Sequence, residues 1–143
     1  MGVDRQFYIG VKALVTDRKG RILVLRKVPR KASDRWKPFW DLPGGKMQEH
    51  SVEDTLLREI YEEIGVRKVR IGRLIGATVS NFKIDGGRSS LLFLIYKCRV
   101  SEGSELRLSK EHDELRWVSA REAKRYLAYM LPEEFLKKLV IAK

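Results

Sequence analysis

Apolar residues in this chain fall into short continuous runs and one helical stripe, a combination that predicts a mixed α and β fold. Residues 7–16 (FYIGVKALVT) and 21–28 (RILVLRKV) are rich in β-branched and aliphatic side chains and flank Asp17-Arg18-Lys19-Gly20. That turn chemistry predicts a β-hairpin. A loop containing Pro29, Pro38 and Pro43 follows and ends at Gly44-Gly45. Residues 51–64 hold neither Gly nor Pro, with Ser51 placed as an N-cap and Gly65 as a left-handed C-terminal cap, so they predict a helix. Two more strands are expected at 73–84 and 88–100, joined across Asp85-Gly86-Gly87. A short strand at 114–118 precedes Ser119 and Glu122, a capping box that opens another helix, and Pro132 is placed in the first turn of a last helix over 132–141. Strands before and after a central helix, with helices at the end, argue for a sheet covered by helices in one domain spanning residues 1–143.

The central helix separates into two faces when its residues are stepped by about 100° each. Leu56, Leu57, Ile60, Tyr61 and Ile64 form a stripe expected to pack on the sheet, while Glu59, Glu62 and Glu63 share another side. Like charges at i,i+3 and i,i+4 weaken an isolated helix, so a cation is expected to offset them. Arg58, four residues before Glu62, supplies one guanidinium and leaves two carboxylates over. Spacing alone leaves open both a solvated acidic face and a site for a hard divalent cation, which takes oxygen ligands.

Charge sharpens this picture. The chain carries a formal +11, and eleven of its 30 basic residues but only three of its 19 acidic ones lie in the first 40 positions. The densest basic stretch, Arg26 to Lys37, favours polyanions, whether nucleic acid, an acidic membrane surface or a phosphorylated small molecule. A solvated loop that aids solubility accounts for it equally well. The longest apolar run, Leu91 to Tyr96, is too short to span a bilayer, so no membrane-crossing segment is expected. The N-terminus lacks the layout of a signal peptide, and the single Cys98 has no internal partner; a cytoplasmic protein is the expectation. Carboxylates, a Pro-Gly-Gly loop that lets backbone approach a ligand, and an adjacent basic segment together suit metal-assisted hydrolysis of a diphosphate.

The same residues resemble the Nudix box, GX5EX7REUXEEXGU, where U is a bulky aliphatic residue. Arg58-Glu59-Ile60-Tyr61-Glu62-Glu63-Ile64-Gly65-Val66 matches every defined position of its second half. The first half departs from it. Counting back from Arg58 places His50 at the first Glu of the box, with Glu49 one position early, and the sequence leaves open which of the two fills that place.

The resemblance implies a Nudix-type α/β/α sandwich with a mixed β-sheet and cleavage of a nucleoside diphosphate linked to another moiety. It also implies Mg²⁺ or Mn²⁺ held by Glu59, Glu62 and Glu63, with Arg58 orienting the carboxylates. The general base is Glu63 or a carboxylate of Lys110-Glu111-His112-Asp113-Glu114, which resembles the EHxExRWV stretch common in the family; Glu111 is the first choice. His112 is expected at the surface. Gly44, Gly45, Lys46, Arg26 and Arg35 are the expected substrate and phosphate contacts, and Trp36, Phe39 and Trp40 candidates to stack a base. Signatures of the ADP-ribose, NADH, coenzyme A and dinucleoside polyphosphate classes are lacking, which by elimination favours a MutT-like nucleoside triphosphate pyrophosphohydrolase, with oxidised dGTP among its substrates. Hydrolases of ADP-ribose, nucleotide sugars, dinucleoside polyphosphates or RNA 5′ ends, and a non-catalytic nucleotide- or RNA-binding module, are the alternatives. A small nucleotide is thus the expected partner ahead of nucleic acid. Many relatives form dimers, so a homodimer is also an expected state.

Overall fold

In the two strands read as a hairpin, Val11, Ala13, Leu14 and Val15 of the first and Ile22 to Leu25 of the second are all buried. They are covered on both faces, as a continuous apolar run requires, and each pairs with strands other than its neighbour, which overturns the simple hairpin. The computed structural model describes residues 5–141. β1 (Gln6–Val15) and β2 (Ile22–Lys27) are joined by the expected turn, in which the Asp17 amide donates to the Arg21 carbonyl at 3.0 Å. Beyond one bridge between Thr16 and Ile22, the two strands part into different sheets.

β1 pairs antiparallel with β4 (Gly44–Lys46) and parallel with β6 (Ser89–Val100), and β6 pairs antiparallel with β5 (Val69–Ile84). β2 pairs antiparallel with β3 (Phe39–Asp41) and β7 (His112–Val118). The β5–β6 hairpin turns through Asp85–Gly87, where Gly86 and Gly87 take the positive φ that the sequence Asp-Gly-Gly permits.

Two cores follow from this division. Val11, Ala13, Val15, Leu23 and Leu25 face Leu56, Ile60 and Ile64 of α1 (Val52–Ile64). Leu14, Ile22 and Val24 face the opposite way, toward Leu127 of α2 (Ala120–Leu127) and Phe135 and Leu136 of α3 (Glu133–Leu136). The result is an α/β/α sandwich with strands of mixed direction between helical layers.

Caps read from sequence form as expected. Ser51 accepts the Asp54 amide, Gly65 closes α1 at φ +73°, and Ser119 and Glu122 exchange both bonds of a capping box. Elsewhere the boundaries move. The expected helix over 132–141 is two short pieces, α3 and α4 (Lys138–Ile141), with Pro132 as the N-cap of the first. Tyr61 does not pack on the sheet; it is exposed and lies under Arg67, whose guanidinium carbon is 3.9 Å from the ring centre. No helix among the described residues is long and apolar enough to cross a membrane.

Candidate active site

Arg58 organises the acidic end of α1. Its guanidinium donates to both oxygens of Glu49, to Glu62 Oε2 at 3.0 Å, and lies 3.2 Å from Glu59 Oε1. Of the two residues between which the sequence leaves the first Glu of the box open, Glu49 is the one bound to Arg58, and His50 is exposed. From the first turn of α1, Thr55 Oγ1 also donates to Glu49. The hydrogen bond from Arg58 holds the Glu49 carboxyl below the usual carboxylate range, and the same bond raises Arg58 further above its ordinary value.

The three helix carboxylates are not equivalent. The Glu62 side chain is 54% exposed, that of Glu59 15% and that of Glu63 5%. Glu63 sits at the boundary of its helix face, where the Gly44 amide donates to its Oε1 at 2.9 Å and His112 Nε2 lies 3.6 Å from Oε2. Burial is the largest influence on Glu63 and pushes its carboxyl well above the usual range, against the opposing pull of Lys12 and the Gly44 amide. Gly44 has φ +141°, and a β-carbon there would lie 2.0 Å from the Val11 carbonyl oxygen, so this close approach requires glycine.

Beside Glu63 lies a buried ion pair. Lys12 Nζ donates to Asp41 Oδ2 at 2.8 Å, with both side chains nearly sealed from solvent. Burial alone would lower the Lys12 ammonium; Asp41 and Glu63 outweigh it and hold its pKa above the ordinary value. His112 is also buried, contrary to the surface position expected from its loop context, because β7 begins there and pairs it with Lys27. Burial lowers its pKa to about 4, keeping the imidazole neutral at physiological pH. Sequence reasoning missed Lys12 and Asp41. A lysine in the middle of an otherwise apolar strand was the available signal.

One cleft opens onto this carboxylate wall, and a second adjoins the first. The first, of about 260 Å³, is lined by Glu62, Glu63, Arg30, Ser109, Lys110 and Glu111. The other, of about 420 Å³, shares Arg30 and Glu111 with it and adds Lys27, Lys31 and Trp36. Glu111 reaches this place because its carbonyl accepts the Val28 amide, which ties the loop before β7 to the end of β2. Arg30 Nη1 is 3.9 Å from Glu111 Oε1.

Other expected contacts lie elsewhere. Arg26 pairs with Asp113 at 3.1 Å, Lys46 extends over the Tyr8 ring, and Arg35 is exposed and lines neither cleft. Glu114 pairs with Arg116. Phe39 joins Trp36, Phe82 and Tyr129 in an aromatic cluster, while Trp40 meets Tyr126 edge-on at 4.9 Å.

Among the described residues no three His, Cys, Asp or Glu side chains converge closely enough to cage an ion as they stand. The donor chemistry nevertheless fits a hard divalent cation. Glu62 lines the open cleft and Glu59 lies one turn back on α1; both offer only carboxylate oxygens, and Arg58 now occupies one oxygen of each. A cation would take over those oxygens while Glu49 retains the arginine.

A family model described as the NUDIX domain matches residues 7–139. The chain belongs to the Nudix family. It is a hydrolase of that family, whose members in general use divalent cations. A nucleoside triphosphatase, NudI of Klebsiella pneumoniae, is 28% identical over 93 residues, a match covering 61% of this chain and 66% of that protein. The MutT protein of Methanosarcina mazei Go1 superposes with a TM-score of 0.75 over 99% of this chain and 98% of its own, at 24% identity. An Ap4A hydrolase from C. elegans shares the fold over 94% of this Nudix chain and 96% of its own, with a TM-score of 0.69 and 17% identity.

Proposed function

We propose that this Nudix hydrolase cleaves the diphosphate linkage of a nucleoside triphosphate, oxidised dGTP among them, giving a nucleoside monophosphate and pyrophosphate. The observation that carries this reading is the junction of the two clefts. A cleft at Glu62 and Glu63 and a neighbouring cavity lined by Lys27, Lys31, Asp34 and Trp36 share Arg30 and Glu111 in their walls, which sets room for a base beside room for phosphates and a cation.

Glu59 and Glu62 would hold Mg²⁺ or Mn²⁺, with Glu63 behind them. Such a cation, when bound, offsets phosphate charge and lowers the barrier to attack by water. Arg30 and Lys110, which line the same cleft as Glu62 and Glu63, present cations to the phosphates. Trp36, 39% exposed, offers a face for the base. Glu111, half-exposed on its loop, can take the proton of an attacking water and exchange it with solvent, whereas Glu63 is enclosed. The NudI likeness supports a triphosphate substrate.

The test is product chromatography with Mg²⁺ over a panel of nucleoside triphosphates, oxidised dGTP, ADP-ribose, nucleotide sugars and dinucleoside polyphosphates, with Glu62→Gln as control. Pyrophosphate release from a triphosphate, lost in the variant, is the expected result. A clear preference for another member of the panel, or turnover that survives in Glu62→Gln, overturns the reading.

A further inference from the structure

A cavity of about 760 Å³, larger than either cleft at the carboxylates, lies at the other end of β2. Arg18, Lys19 and Arg21 line it from the turn after β1, Arg70 and Arg99 from the β5–β6 pair, and the half-buried Trp117 from β7. A second cavity of about 570 Å³, lined by Leu57, Arg67 and Lys68, shares Arg70 and Arg99 with the first. β2 separates this region from the Lys27 end of the catalytic clefts, and its six residues span about 20 Å at roughly 3.3 Å each. A small substrate held at Glu62 does not reach across.

Arg70 and Arg99 are the ridge between the two cavities. They are directly opposed in the antiparallel register, an arrangement in which like charges repel and weaken the pair. Among the described residues neither makes an ion pair or hydrogen bond through its side chain. The carboxylates of the first cavity pair with two of its other cations, Asp17 with Arg21 at 2.7 Å and Glu102 with Arg18 at 3.0 Å, and so leave Arg70 and Arg99 unpaired. Among the described residues the ridge thus carries two guanidinium groups with no carboxylate paired to either. Its position between two cavities suits a chain of phosphates better than a single phosphate group, and its concave setting does not match a flat bilayer. Cations tracking a backbone beside an aromatic side chain are what single-stranded nucleic acid requires.

We infer that this double cleft binds single-stranded nucleic acid, with successive phosphates on the Arg70–Arg99 ridge and a base against Trp117. The site is independent of the hydrolytic reading, since it shares no residue with the carboxylate clefts.

Fluorescence anisotropy of a 5′-fluorescein oligo(U) measures it, because that probe has no 5′ diphosphate to hydrolyse. Wild-type protein is compared with Arg70→Glu/Arg99→Glu, Arg70→Lys/Arg99→Lys and Arg30→Glu across a salt titration. The expected result is affinity that falls with salt, at least about tenfold weaker binding in the double Glu variant, and a salt slope shallower by about 1.4, or about 0.7 for each phosphate that is no longer neutralised. The Lys variant retains binding, as does Arg30→Glu, and triphosphate hydrolysis by the double Glu variant matches wild type. Undiminished binding in the double Glu variant, loss of binding in Arg30→Glu alone, or absence of binding by folded wild-type protein overturns the proposal.

Discussion

Gly45 and the carboxylate of Glu59 occupy adjoining space so closely that a β-carbon on Gly45 would lie 2.5 Å from Glu59 Oε1. The obstruction is the far end of a flexible side chain, so Gly45→Ala displaces that carboxylate more readily than it disturbs the fold. Turnover is expected to fall by at least about tenfold, equivalent to about 1.4 kcal/mol of barrier, while the thermal midpoint changes little. Parallel steady-state kinetics and thermal denaturation check this; a large loss of stability with normal turnover per folded molecule sinks it.

Glu49 rather than His50 holds Arg58, and substitution at these neighbours separates their roles. Glu49→Ala frees Arg58 to bind Glu59 and Glu62 more tightly, in competition with a cation. About a 10- to 100-fold rise in the Mg²⁺ concentration needed for half-maximal activity is expected, the range seen when support of a metal ligand is removed. His50→Ala leaves that concentration unchanged. The measurement is a metal titration of activity in both variants.

Lys12 and Asp41 form a pair that cannot lose one member cheaply. Lys12→Met strands the buried carboxylate of Asp41 beside Glu63, and is expected to cost about 3–5 kcal/mol in denaturant unfolding. The double change Lys12→Met/Asp41→Leu removes both charges and recovers much of that loss. Equal destabilisation by the single and double variants contradicts this account.

Trp36 is expected to act on binding. Stacking of a base contributes about 1–3 kcal/mol, so Trp36→Ala raises KM by about fivefold or more and leaves kcat within about twofold. Kinetics with a nucleoside triphosphate and with inorganic triphosphate distinguish the roles, because only the former loses a stacking partner.

Cys98 gives a pH-linked prediction away from the clefts. Burial pushes its thiol up to about 12, so at pH 8 the folded protein holds almost no thiolate there. Thiol reagents are expected to label it only as fast as the protein opens, with full labelling in denaturant. Rapid stoichiometric labelling of folded protein at pH 8 is the contrary result.

Local signals were the legible ones. Ser51 and Gly65 bound α1 correctly because capping depends on a few neighbouring residues, and the approach of Arg58 to Glu62 was legible because helix geometry fixes an i,i+4 spacing. Strand partners were not legible. The turn at 17–20 forms, yet whether the strands beside it pair with each other depends on β6 and β7, far along the chain. For the same reason rotation about α1 groups Glu63 with Glu59 and Glu62 but says nothing of the Gly44 amide that encloses it. The triplets Phe39–Asp41 and Gly44–Lys46, separated by Leu42 and Pro43, are too short to carry a strand pattern. Asp41 in particular gains meaning only when Lys12 arrives from another sheet.

That meeting of sheets bears on how the molecule breathes. β1 carries Lys12 and β3 carries Asp41, while the Ala13 amide donates to the Pro43 carbonyl at 2.8 Å and fastens the short link from β3 to β4. Any fluctuation that splays the two sheets must first part these contacts, so the site and the seam open as one event. The amide of Ala13 is thus a hydrogen-exchange reporter for the integrity of the active site, although it touches no substrate.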